Sequence, residues 1–227
     1  VGQQFGYVTD GFFSQEDVEK YAINKGMEGG IPDHNFSPKA GDVKYRDLNG
    51  DYKIDDKDVA AIGYPKYPLL TGNMSLGFSW NGLDFSMVWS GAFKTSRLVS
   101  SFYRVPFDTT NNRALLSYMI KDAWTPEKGD SSTAPAISFG ASKANNYKDS
   151  DLWLRDASYV RLKNIELGYS FPKQIVKKMH LGTLRLSVSG YNLLTFDDMG
   201  FCDPESNPDG QAYPLIKVVN FGLKVGF

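Results

Sequence analysis

The 227-residue sequence is poor in the features that mark several protein classes. It has one cysteine, Cys202, so no internal disulfide can staple the fold. It has two histidines, His34 and His180, and no Cys/His cluster spaced for zinc. Lys and Arg number 25 against 26 Asp and Glu, so there is no basic excess to suggest nucleic acid as a partner. No run of about 18 apolar residues occurs, which excludes a transmembrane helix. It does not exclude a transmembrane strand, which needs only about 9–11 alternating residues. The sequence opens on strand-like residues, Val1 to Tyr7, without an initiator Met or a signal peptide, and the expectation is a segment of a longer polypeptide.

What is abundant is aromatic residues and glycine: 13 Tyr, 15 Phe and 22 Gly. That mixture suits many strands joined by tight turns. The final stretch, residues 215–227, is the clearest. Val219, Phe221, Leu223, Val225 and Phe227 alternate with Asn220, Gly222, Lys224 and Gly226. Successive side chains of a strand point to opposite faces, so one face is oily and the other polar or small. Such a strand fits a membrane wall with an aromatic at the interface, and equally a half-buried strand of a soluble sandwich.

The same alternation recurs upstream. Leu70, Met74, Leu76, Phe78 and Trp80 share a face, Asn81-Gly82 signals a two-residue hairpin, and Leu83, Phe85, Met87, Trp89 and Phe93 return. Further strands are expected over 3–13, 158–171 and 183–194. The phase blurs at Arg161 and Lys163. Helices are expected after Ser14, a fair N-cap ended by Gly26, over Asn111 to Trp124, and as a short basic turn over Lys173–Met179. The connections Asn81-Gly82 and 172–182 are short, whereas 94–157 and 195–214 are long. Short turns on one side and long loops on the other are the habit of outer-membrane barrels, and a soluble sandwich has no reason for it. Asp84, Asn164, Glu166, Arg185, Tyr191, Asn220 and Lys224 would then face a watery lumen.

One compact motif stands in the insert 43–62. Asp47, Asn49, Asp51, Asp55 and Asp58 occupy positions 1, 3, 5, 9 and 12 of a calcium-type loop, and Lys53 at position 7 would lend its backbone carbonyl. A hard cation wants several convergent oxygens, and alternate residues of a tight loop supply them. Position 6 usually holds Gly for a left-handed turn; here it is Tyr52. The loop is either a structural calcium site or a solvated acidic turn whose aspartates cap backbone. Trp124, Tyr147 and Trp153 could stack on sugar rings or simply pack their loop. The acidic pairs Asp55/Asp58 and Asp197/Asp198 lie in turn-like segments and give no case for a hydrolase, so an enzyme is not expected.

Several runs carry a family resemblance. Gly41 to Asp55 with Ile62-Gly63-Tyr64-Pro65, the turn Asn81 to Ser86, Ser158 to Pro172, Ser189 to Thr195 and the terminal Phe227 are similar, in order, to the C-terminal part of SusC/RagA-type TonB-dependent outer-membrane transporters of Bacteroidetes. The resemblance implies an all-β fold: about six C-terminal strands of a 22-stranded antiparallel transmembrane β-barrel, with long extracellular loops that contain short helices. It implies placement in the bacterial outer membrane against lipid, with 94–157 as a long extracellular loop and 215–227 as the closing strand. It also implies uptake of glycans or peptides together with a SusD-like surface lipoprotein. The remaining N-terminal barrel and plug of the same transporter would be partners, as would TonB through that N-terminal part. The other reading is a soluble β-sandwich carbohydrate-binding module with a structural calcium.

Overall fold

The structure is a computed structural model that describes residues 1–107, 115–200, 202–206, 213 and 215–227, with the side chain of Asp130 left aside. The start of the helix expected at Asn111 and much of the loop 195–214 therefore lie outside the described residues. In chain order the elements are β1 (Gln4–Tyr7), β2 (Thr9–Phe12), α1 (Gln15–Asn24), β3 (Val43–Tyr45), β4 (Val59–Ile62), β5 (Leu70–Trp80) and β6 (Leu83–Phe93). They continue with β7 (Ser96–Leu98), α2 (Ser101–Arg104), α3 (Ser117–Asp122), α4 (Gly140–Asn146), β8 (Leu154–Asp156) and β9 (Tyr159–Ser170). Last come α5 (Lys173–Lys178), β10 (Thr183–Asp197) and β11 (Val218–Gly226).

The chain divides into two compact units. One holds Tyr67–Thr95 and the described residues after Arg155. It is a five-stranded antiparallel sheet in the order β11-β10-β9-β6-β5. Each strand lies beside its predecessor among these five, so the sheet is a meander with β5 and β11 as its edges. Asn81 at φ 49° and Gly82 at φ 85° are both left-handed, as a primed two-residue turn requires, and Trp80 pairs directly with Leu83. A Cβ on Gly82 would come 2.4 Å from the Ser170 carbonyl oxygen, so glycine is also needed there for space.

Register carries the apolar residues into rows. Phe78 pairs Phe85, which pairs Leu167, which pairs Val188, which pairs Phe221. Beside it run Trp80, Leu83, Tyr169, Leu186 and Leu223. This face is open: Phe221 is 86% exposed, and Met74, Leu76, Leu186 and Leu223 are exposed as well. A soluble sandwich would bury such a face under a second sheet; here its side chains stand exposed. Aromatics mark both ends of the band. Trp80 stands by the short turn with Tyr169 and Phe171, whose rings meet edge to face at 5.0 Å. At the other end Trp89 stacks on Phe196 at 6.4 Å. Aromatic girdles at two interfaces are what a wall in lipid calls for.

The blurred phase at Arg161 and Lys163 has a structural cause. Val88 pairs Asn164 but Trp89 pairs Leu162, so Lys163 is an extra residue in β9 and the side-chain alternation flips there. Below the bulge the odd residues Ile165 and Leu167 share the apolar face. Above it the even residues Val160 and Leu162 do.

The other unit holds Val1–Lys66 and Ser96–Arg155. The expected strand 3–13 does not join the five-stranded sheet. It breaks into β1, which pairs β4, and β2, which pairs β3. Gly11 at φ 87° interrupts the run, and a Cβ on Gly6 would come 2.7 Å from the Asp149 carbonyl oxygen, so close backbone packing replaces a long strand. Among the described residues five long strands form the sheet. The helix after Ser14 forms as expected: Ser14 Oγ accepts from the Asp17 amide and Asp17 Oδ2 accepts from the Ser14 amide, both at 3.0 Å. Tyr7, Phe12, Val43, Tyr45 and Ile54 form the core of this unit, with Trp124 and Leu152 against it.

Candidate functional site

On the polar face of the five-stranded sheet, register brings charges from three strands together. Arg185 of β10 donates through Nη2 to Asp84 of β6 and, at 2.9 Å, to Glu166 of β9. Lys224 of β11 pairs with Arg185 in register. All seven residues expected to face a lumen, Asp84, Asn164, Glu166, Arg185, Tyr191, Asn220 and Lys224, share this face. The alternation placed them; the ion pairs were not readable from it.

A second cluster was missed. Arg161, above the bulge, is 0% exposed, and its guanidinium meets Asp203 at 2.6 Å and Glu205 at 3.0 Å. Glu205 also receives Lys163 at 2.7 Å and the Tyr159 hydroxyl at 2.7 Å. Burial would raise the Glu205 carboxyl, but the Lys163 and Tyr159 hydrogen bonds and the Arg161 charge win and hold it below the usual range. The segment 202–206 is thus tied to β9 by paired charges. The only sequence signal was the break in alternation at Lys163.

In the other unit the acidic loop is folded by its own side chains. Asp47 accepts from the Gly50 and Tyr52 amides, both at 2.7 Å. Asn49 accepts from Asp51 and Asp51 from Lys53. Asp55 accepts from Lys57, and buried Asp58 accepts from Leu48 and Asp55, both at 2.9 Å. The Asn49 amide and the Lys53 N–H hold the Asp51 carboxyl low. Tyr52 takes φ 61°, the left-handed conformation that position 6 of a calcium loop demands, although it is not glycine. Among the described residues no three Asp, Glu, His or Cys side chains are gathered as for a metal ion. The six loop positions 47, 49, 51, 53, 55 and 58 thus share one loop with the backbone turn of such a site, while their carboxylates serve loop amides.

Next to it lies a buried polar network. Asn146 donates to Asp42 at 2.8 Å and to Ser138 at 3.0 Å, and accepts the Val43 amide at 2.9 Å. Ser142 donates to Asp42 at 2.7 Å, and Asn145 donates to the Val43 carbonyl. Trp153 is buried with Nε1 on the Asn146 carbonyl, and Tyr147 packs on its ring at 5.4 Å. Trp124 lies against the core. These aromatics pack the unit rather than offer faces to a sugar. His34 is 4% exposed, with Nδ1 2.7 Å from the Pro32 carbonyl and Nε2 accepting the Tyr45 amide at 2.9 Å. Burial pushes its imidazole down to about 4.

No family model matches the sequence. The chain is 26% identical over 241 residues to TonB-dependent receptor P3 of Formosa agariphila, covering 98% of this chain and 22% of the relative. It is 25% identical over 225 residues to TonB-dependent receptor SusC of Bacteroides thetaiotaomicron, covering 98% and 20%. The solved structure of the RagAB peptide transporter superposes with TM-score 0.67 at 18% identity over 99% of this chain and 22% of that one. The chain spans about a fifth of the length of the curated relatives it matches. These relatives are receptors and transporters rather than enzymes. No helix is long and apolar enough to cross a membrane among the described residues, whereas the two-faced sheet has the length and the aromatic ends to do so. The chain fits the C-terminal part of a SusC/RagA-like TonB-dependent transporter of the bacterial outer membrane.

Proposed function

We propose that the chain supplies barrel wall and external loops to an importer that takes up glycans or peptides with a SusD-like surface lipoprotein, drawing on TonB through the rest of the polypeptide. The observation that carries this reading is the sheet itself, oily on one face and charged on the other. Among the described residues β5 and β11 have no strand on their outer sides, and open strand edges are not tolerated in hydrocarbon. Upstream strands of the same transporter would pair with them. The polar face, with Arg185, Asp84 and Glu166, is the water-filled side.

The test uses the full-length transporter in its own membrane. Purified in mild detergent, it should retain a surface lipoprotein, and cells lacking the gene should lose growth on one class of oligosaccharide or peptide. Recovery of the full-length protein from the soluble fraction without detergent would sink the wall reading. Unchanged growth and no retained lipoprotein would sink the uptake reading.

We also propose that the loop 47–58 takes calcium as a structural ion, through Asp47, Asn49, Asp51, Asp55, Asp58 and the Lys53 carbonyl. The spacing and the left-handed Tyr52 support it. The ion would stiffen an external loop and play no chemical part in transport. Calcium should raise the local stability of residues 47–58 in the full-length protein, measured by hydrogen exchange, and Asp51→Ala should abolish the effect. An equal response in that variant argues for a solvated turn.

A further inference from the structure

The loop unit holds a cavity of about 350 Å³. Pockets for small ligands begin at about 300 Å³. Its lining comes from β1, the segment 34–36, the end of the acidic loop and α4, with nothing from the five-stranded sheet. Tyr7, Phe36 and Ile54 give it apolar walls, and the small side chains of Ala141 and Ala144 leave room beside them.

Two charges in the lining are poorly served. Lys148 is half-buried, with Nζ 4.7 Å from the centre of the Tyr7 ring and 5.7 Å from that of Tyr45. Among the described residues no oxygen lies within hydrogen-bond distance of that ammonium, so ring faces are what it has. Burial pushes it down, and the Asp56 charge works against the burial. Asp56 is exposed, and the Tyr7 hydroxyl reaches its Oδ1 only at 3.4 Å, a long contact that leaves the carboxylate short of donors. A cation over the Tyr7 ring and an anion at the Tyr7 hydroxyl thus stand close without closing on each other. Asp55 also lines the cavity, but its Oδ1 already serves the Lys57 amide.

We propose that this cavity binds an α-amino acid with an apolar side chain, its carboxylate on Lys148, its ammonium on Asp56 and its side chain against Phe36 and Ile54. An α-amino acid carries both charges on neighbouring groups, as a gap between an unpaired cation and an unpaired anion requires. A uronic acid would offer Lys148 the same carboxylate but bring Asp56 only hydroxyls, and a neutral sugar would leave Lys148 unpaired. Hydrogen bonds with charge on both sides are the stronger ones, so the zwitterion is the better match. The site belongs to the loop unit and stands whether or not the uptake reading does. Asp56 is not among the six calcium positions, so a change there also separates this site from the ion.

The full-length protein in mild detergent is titrated with L-phenylalanine, L-leucine, phenethylamine, 3-phenylpropionate and galacturonate, followed by ligand-observed NMR. The two amino acids should bind with Kd on the order of 1 mM or tighter, and the amine and the acid, each lacking one charge, at least about tenfold more weakly. Lys148→Gln should hold phenylalanine no better than phenethylamine, and Asp56→Asn no better than 3-phenylpropionate. Lys148→Arg should keep the preference for the zwitterion. Hydrogen exchange of residues 32–56 checks that each variant is folded. Where either fails to fold, Ala144→Trp, which fills the cavity from an exposed helical position, should weaken phenylalanine at least about tenfold. No binding of either amino acid at about 10 mM overturns the site. Preferences unchanged in the folded variants, or unchanged affinity in Ala144→Trp, overturn it too, because the amino acid is then held elsewhere. Galacturonate bound more tightly than phenylalanine, and lost in Lys148→Gln, overturns the amino-acid assignment in favour of an acidic sugar. Growth and lipoprotein retention test the uptake reading separately.

Discussion

Gly168 of β9 lies beneath the guanidinium of Arg185: a Cβ built on it would come 2.3 Å from Nη2 and 2.6 Å from Asp84 Oδ2. The glycine therefore makes room for a place where β6, β9 and β10 exchange charge across the polar face. Alanine there makes the Arg185 guanidinium and the Asp84 carboxylate shift, which loosens their pairing. These groups are about one-third exposed, so the lost pairing is worth only about 1 kcal/mol. The expected signature is coupling rather than size. Gly168→Ala and Arg185→Gln should each destabilise the full-length transporter, and the double variant should be no worse than the poorer single one. Urea unfolding followed by heat-modifiable migration reads it, and additive losses would show that the two residues do not share the contact.

His34 gives the unit around it an acid limit. In the unfolded chain its imidazole takes a proton near 6.5, but in the fold it stays neutral down to about 4. The unfolded state thus binds the proton first as pH falls. The stabilisation is complete above about 6.5 and is lost as pH falls from there through about 4, amounting to at most about 3 kcal/mol. Asp33, Lys44 and Lys148 are the charged groups acting on it. Hydrogen exchange of residues 32–46 in the full-length protein should quicken across that window. His34→Asn, whose side chain does not titrate there, should flatten the slope, and a slope that survives in the variant belongs to another group.

The five-stranded sheet was legible because its information is local and periodic. Phe78, Leu76 and Trp80 read as one face without any knowledge of their neighbours, and Asn81-Gly82 named its own turn. Long-range pairing of charges left almost no trace. Arg161 finds Asp203 and Glu205 across 42 and 44 positions, and the bulge at Lys163 that turns Arg161 toward them showed only as a smudge in the alternation. Residues 3–13 read as one continuous strand because Phe5, Tyr7 and Phe12 look apolar enough. What decides otherwise is Gly6 pressed on Asp149, a contact more than a hundred residues away. The acidic loop lies between these cases. Its spacing was plain, but only the backbone could reveal that Tyr52 accepts the left-handed turn.

Asn146 knits the buried network of the loop unit, and its removal should be felt locally. Asn146→Leu keeps roughly the volume but strips partners from the Val43 amide, Asp42 and the Ser138 hydroxyl, while the main-chain carbonyl that receives Trp153 Nε1 stays. Leaving a buried donor and a buried carboxylate short of partners costs about 1–3 kcal/mol for each group. Residues 39–46 and 138–153 should lose exchange protection and gain protease sensitivity, while the strands β9 and β10 keep theirs. Asn146→Asp, which can still accept from Val43 but repels Asp42, should fall between the parent and Asn146→Leu. Protection unchanged in Asn146→Leu would mean that the network is not what holds these segments.

Tyr52 is the residue on which the calcium proposal turns. It sits at φ 61°, a conformation that an ordinary side chain adopts at a cost of about 1 kcal/mol or more. Its amide is held there by Asp47 at 2.7 Å, so the loop keeps the turn with a residue unsuited to it. Glycine removes the strain in the folded loop, although it also frees the unfolded chain, so the net gain in stability should be small, within about 1 kcal/mol. Calcium affinity follows the same balance, because the left-handed turn is needed with and without the ion and its strain cancels between the two. If the six positions hold calcium, exchange of residues 47–58 in Tyr52→Gly should still slow on adding calcium, with an affinity within about fivefold of the parent. If the loop is a solvated turn, the same substitution should alter exchange of residues 47–58 equally with and without calcium. The ratio of those two measurements separates strain from ion binding in one variant.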